Sequence, residues 1–155
     1  MYDLKRALIK DLQTVFKDPL YKAPDKADGK TIHVFRNLPP LHDDPADDDD
    51  DFDYLAVYVS DGQRNSATEP EQMTAHIVCG VFDDSQDWAG ADTLDLIIER
   101  ILNHYDAAPL LDKQFRCTFP RNYTTVIDDD TFPYFFAVVS LTFERITPEE
   151  EDPYV

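Results

Sequence analysis

The densest chemistry-bearing stretch of the chain is DDPADDDDDFD, residues 43–53, with eight aspartates in eleven positions. Carboxylates at that density suit three tasks: caging a divalent cation, repelling a polyanion, or keeping a connector solvated. An EF-hand loop needs alternate oxygen ligands, a glycine at its sixth position and a bidentate glutamate at its twelfth. Counted from Asp47, the ligands at Asp47, Asp49 and Asp51 fit, but the sixth position is Phe52 and the twelfth is Tyr58. The match fails where the turn and the bidentate ligand are required, which leaves only weak, nonspecific Ca²⁺ or Mg²⁺ binding. Five consecutive carboxylates repel one another and cannot all be buried, and that favours a solvated loop.

Other chemistry is sparse. The four histidines (His33, His42, His76 and His104) have no HxxxH or CxxC partner, so no zinc site is expected. His76 and Cys79 stand three apart on a strand-like segment and point to opposite faces, which argues against a Cys–His nucleophile pair. Cys79 and Cys117 read as free buried thiols. No GxSxG, P-loop or GxGxxG pattern occurs, and the four glycines are isolated. No catalytic residue, metal ligand or cofactor is assigned, and the chain is not expected to be an enzyme. Three aromatics stand in polar surroundings. Trp88 either packs a helix start onto a sheet or anchors an interface, and Tyr123 and Phe132, in FPRNYTTVIDDDTFPY, carry the same two readings.

Charge narrows the class of partner. The 155 residues carry a net charge of −18, unevenly spread. Residues 1–36 hold eight of the 14 Lys/Arg against five Asp, and the rest of the chain holds six basic against 27 acidic residues. Such a body has no basic stripe with which to release phosphate counterions, so it does not bind nucleic acid in that way. Lys5, Arg6 and Lys10, on the basic first segment, are candidates for docking onto a neighbour's acidic body. An acidic DNA mimic remains as an alternative of a different class. The start of the chain lacks a signal-peptide apolar core, and no apolar stretch reaches the ~18 residues of a membrane span. The expectation is a soluble protein of the cell interior.

These residues must be positioned by a single α+β domain, 1–147, with the acidic loop at 41–53 and an acidic tail at 148–155. Leu4, Leu8, Leu12 and Val15 recur at helical spacing, widened by Ile9 and Phe16, and predict a helix over 2–18 that Pro19 ends. TIHVFRN (31–37) and DYLAVYVS (53–60) read as strands, the latter with Leu55, Val57 and Val59 on one face. The polar stretch 61–72 reads as a loop, and MTAHIVCGVF (73–82) as a third strand. The segment 83–105 carries Ala91, Leu94, Ile97, Ile98, Ile101, Leu102 and Tyr105 at helical spacing, with Asp87 or Ser85 as its N-cap. QFRCTF (114–119) alternates with Phe115, Cys117 and Phe119 inward, and 134–146 alternates Phe135, Ala137, Val139, Leu141 and Phe143. The order α-β-β-β-α-β-β predicts an antiparallel or mixed sheet of about five strands flanked by two main helices.

That order resembles the tail terminator proteins of long-tailed bacteriophages over roughly residues 30–146. The likeness is carried by a strand that ends in prolines (IHVFRNLPP) and an extended strand before a turn (YLAVYVSDGQ). It continues through HIVCGVFDDSQDWAGADTLDLIIERIL (76–102), in which a strand passes an acidic turn with an aromatic into an apolar helix. PLLDKQFRCTFPRNYT and the closing FPYFFAVVSLTFE complete it. The resemblance implies a homo-oligomeric ring, usually hexameric, at the head-proximal end of the virion tail. Such a ring is assembled in the host cytoplasm, caps the tail tube protein, stops tube growth and docks to the head–tail connector protein. DNA passes through it without specific binding, and no membrane is involved. Another head–tail neck component is the alternative within phages. On this resemblance Asp43, Asp44, Asp47, Asp48, Asp49, Asp50, Asp51 and Asp53 are candidates to line the channel and repel DNA. The rival placement is the outer rim.

Overall fold

The structure is a computed structural model that describes residues 2–18, 32–39 and 52–146. Along the chain run α1 (Tyr2–Val15), β1 (His33–Arg36), β2 (Tyr54–Gln63), β3 (Gln72–Phe82), α2 (Ala89–Ala107), β4 (Leu110–Leu111), β5 (Phe115–Val126) and β6 (Tyr134–Arg145). The six strands form one sheet in the order β1-β2-β3-β6-β5-β4. Among the described residues only β1 and β2 run parallel, and every other pairing is antiparallel. Among the described residues the fold is therefore α+β with two helices and a mixed sheet, with six strands where the sequence predicts about five.

Alternation decides which face of the sheet is closed. Leu55 and Val57 of β2, with Ala75, Ile77, Cys79 and Val81 of β3, project to one side together with Phe135, Ala137, Val139, Leu141 and Phe143 of β6, and all are buried. The apolar stripes of both helices meet that face in one core, with Leu4, Leu8, Leu12 and Phe16 from the first and Leu94, Ile97, Ile98, Ile101 and Tyr105 from the second. This is the two-layer solution open to an amphipathic helix and a one-sided sheet. The helices are also stitched to each other by polar groups. The Tyr105 hydroxyl donates to Asp11 Oδ2 at 2.8 Å, and His104 Nε2 lies 2.8 Å from the same oxygen. Burial, reinforced by the Asp11 charge and hydrogen bond, pushes the Tyr105 phenol above its ordinary range.

Four expectations need correction. The second helix begins at Ala89, and its N-cap is Trp88, in the left-handed conformation (φ 60°) without a side-chain cap, rather than Asp87 or Ser85. A short strand, Leu110–Leu111, precedes β5 through a turn in which Asp112 and Lys113 both have positive φ and Gln114 N–H donates to Leu111 O at 3.1 Å. Positive φ at both central residues is the hairpin turn whose twist suits its strands, and Asp-Lys is an uncommon sequence for it. The stretch 61–72 is less loop than expected, since β2 continues to Gln63 past an irregularity between Val59 and Asp61 and β3 begins at Gln72. Finally, β5 does not stop at Phe119. A break in register between Thr118 and Arg121 accommodates Pro120, after which Arg121–Val126 pair with Leu141–Phe136 of β6. That break turns Phe119 outward, 74% exposed, against its expected inward position.

Candidate assembly surfaces

The acidic stretch is largely beyond view. Asp43, Asp44, Asp47, Asp48, Asp49, Asp50 and Asp51 lie outside the described residues. Asp53 does not behave as a solvated member of that series. It is buried, its Oδ1 accepts the Phe82 backbone N–H at 3.0 Å, and its carbonyl accepts the His33 N–H at 3.1 Å. Asp53 thus ties the starts of β1 and β2 to the end of β3.

Trp88 and Phe132 are brought together. Their rings lie 5.2 Å apart, and both pack on Phe135 of β6, at 5.8 and 6.1 Å. The approach leaves no room for a side chain on the first turn of α2, because a Cβ on Gly90 would stand 2.3 Å from the Phe135 ring. Trp88 therefore fastens the helix start to the sheet, with one face of the pair half-exposed. Tyr123 lies elsewhere, 59% exposed on the outer half of β5. Its strand, not a loop, holds it.

The basic candidates share one helix. Lys5 Nζ donates to Asn37 Oδ1 at 2.8 Å, which ties α1 to the end of β1, and the Arg6 and Arg36 guanidinium groups both lie over the Tyr2 ring, at 6.0 and 5.7 Å. Arg6 and Lys10 also line an open groove of about 470 Å³ with Asp3, Asp11, Asp112 and Gln114. The mixed signs in that groove do not make an anion site.

Two further constellations escape sequence reasoning because register alone assembles them. On the face away from the helices, His76 of β3 reaches both neighbouring strands. Its Nε2 is 2.6 Å from Ser60 Oγ of β2, its Nδ1 is 2.8 Å from Ser140 Oγ of β6, and its ring stacks on Tyr58 at 4.9 Å. Ser60 in turn donates to Asp61 Oδ2 at 3.0 Å. The carboxylate therefore orients a serine rather than the imidazole, and both ring nitrogens are engaged between strands. That is the arrangement of a cross-strand tie, not of a base freed to activate a nucleophile. Among the described residues no group of three His, Cys, Asp or Glu is placed to hold a metal ion.

The second constellation is Arg121, whose side chain is 7% exposed. Its guanidinium donates to the carbonyls of Cys117 and Thr118 at 3.2 and 3.1 Å, pairs with Asp106 at the end of α2, and lies 4.2 Å over the Phe119 ring. One side chain so fills two of the acceptors at the register break, and Thr142 Oγ1 donates to a third, Pro120 O, at 2.8 Å. The two cysteines are free and buried. Burial pushes the Cys79 thiol up to about 12 and Cys117 up to about 11, the latter partly offset by Arg121, so neither is a nucleophile at neutral pH.

No protein family and no curated protein matches the chain in sequence. Among solved structures it is similar to a chain from the virion of a native gene transfer agent particle, at 12% identity over 72% of this chain and 77% of that one. The TM-score is 0.33, too low for the overlap to carry an argument. None of the described helices is long and apolar enough to cross a membrane.

Proposed function

We propose that the chain is a non-enzymatic phage tail terminator, a subunit of a ring that caps the tail tube, halts its growth and offers a docking surface to the head connector. The reading rests on the resemblance over residues 30–146. The observation that carries it is the run 76–102, where β3 passes through the acidic turn and Trp88 into α2 as one packed unit. The resemblance implies an α+β fold with a sheet flanked by helices, and here both helices pack on one face of a mixed sheet. The partners under this reading are further copies of the chain, the tail tube protein and the connector, and the location is the head-proximal end of the tail. DNA crosses the ring without specific binding.

The aspartates of 43–51 are assigned to the channel side, where six copies would present a wall of like charge to DNA. Replacing Asp47–Asp51 by Asn tests that placement. Normal tail assembly with slowed DNA delivery is expected, and unchanged delivery would move the loop to the rim. The function itself is tested by adding the purified chain to growing tubes of the cognate tube protein. Tubes of limited length with extra density at one end are expected. Tubes that grow on unaltered, with the chain remaining free in solution, would overturn the reading and favour the DNA mimic.

A further inference from the structure

The two edges of the sheet are unlike, and the difference suits them to each other. One edge is β5. Its partner β4 covers only Phe115 and Arg116, and the Cys117 N–H reaches Pro109 O at 2.8 Å. Beyond that point, among the described residues, no strand lies against the outer side of β5. Natural edges are blunted by proline, by a break in register or by charge. Pro120, the break at Thr118/Arg121 and the Arg121 guanidinium serve that purpose for the middle of the strand. Residues 122–126, NYTTV, carry no charge and no proline, and their side chains are exposed. The other edge is β1, outside which no described strand is paired.

We propose that the outer half of β5 pairs with β1 of a second copy, head to tail, so that the sheet continues from subunit to subunit. This rests on the ring reading above and names the contact that would build the ring. Two observations support a second copy as the occupant. Direction is the first: with the observed pairings, β1 of a copy laid in the same orientation runs antiparallel to β5, the more stable alignment. The second is that a ring needs two different, complementary patches on opposite sides of one subunit, and the two edges of one sheet are such a pair. In the continued sheet the helices of all copies lie on the same side.

Single cysteines test the pairing, because both native thiols are buried and fully protonated at neutral pH. His33 and Asn122 are exposed, and the register places both on the face away from the helices. Cross-strand neighbours on one face have Cβ atoms roughly 4.5–5.5 Å apart, close to disulfide range. His33→Cys, Asn122→Cys and Thr124→Cys are made separately, their folding is checked by circular dichroism, and they are oxidised alone and in mixtures at high concentration. Mixtures of His33→Cys with one of the β5 variants are expected to give a covalent heterodimer at roughly tenfold or greater excess over either variant alone, the excess that about 1.4 kcal/mol of specific pairing produces. Homodimers of Asn122→Cys or Thr124→Cys at equal yield would show that β5 pairs with itself and would overturn the proposal. Mixtures that dimerise no better than single variants would overturn it as well. The tube assay separates this contact from the function. Heterodimers with unaltered tube growth would keep the edge pairing and remove the terminator reading. Halted tubes without heterodimers would do the reverse.

Discussion

β5 is one continuous strand with two different halves. Phe115 and Cys117 are buried beneath α2 and beside Phe143, with β4 closing the outer side. From Asn122 to Val126 the strand keeps its ladder to β6 but has no strand outside it among the described residues, and Tyr123 and Val126 stand exposed. The two halves share a backbone and a partner strand. They differ in whether the surroundings are complete within one chain. The inner half is finished by folding, and the outer half is an edge that folding leaves open.

The largest effect that would test this contrast is a truncation in the closed half. Phe115→Ala should cost about 3–5 kcal/mol in urea unfolding, the usual loss for a buried phenylalanine. An effect near zero would mean that the inner half is not part of the core. Next comes the boundary. Arg121→Met removes charge-assisted bonds to two carbonyls and should cost about 1.5–3 kcal/mol. Its partner Asp106 is 61% exposed and is not stranded in the interior by the change.

Alkaline titration gives a third, smaller test. The folded-state values of the Cys79 and Cys117 thiols are raised, to about 12 and about 11, from a starting value of 9.0. Below pH 9 both states keep the protons, and the full stability is present. Above pH 9 the unfolded chain releases protons that the folded chain holds, so stability falls as pH rises. The slope approaches roughly 1.4 kcal/mol per pH unit for each thiol until the folded values are passed. Cys117→Ala should reduce that slope, and an unchanged slope would mean that the inner half admits water. The smallest effect belongs to the open half. Tyr123→Ser should change the stability of the single chain by no more than about 0.5 kcal/mol while weakening assembly. A large loss of stability in the isolated subunit would erase the distinction between the halves.

The same contrast explains what could be read from the sequence. The closed parts announce themselves through apolar periodicity. Leu4, Leu8 and Leu12, Leu94 to Tyr105, and the alternation from Phe135 to Phe143 all follow from burial on one side of a helix or strand. NYTTV has strand-forming residues but no buried face, so its sequence resembles a loop, and the strand is defined only by its ladder to β6. β4 has two residues, too few for any period. The left-handed Trp88 cap depends on Phe132 and Phe135, and the Ser60–His76–Ser140 tie depends on the register of three strands. Neither is visible to local patterns. Asp53 sits at the end of an acidic run and is buried because the Phe82 N–H needs an acceptor there. Its neighbours in sequence gave no sign of it.

Amide hydrogen exchange across residues 115–126, measured on the free chain and on the chain bound at tube ends, tests the division most directly. In the free chain, protection is expected to be strong through Phe115–Cys117 and to fall in Arg121–Val126, with the outer residues becoming protected in the assembled state. Equal protection of both halves in the free chain, or an outer half that exchanges as fast after assembly as before, would contradict the account.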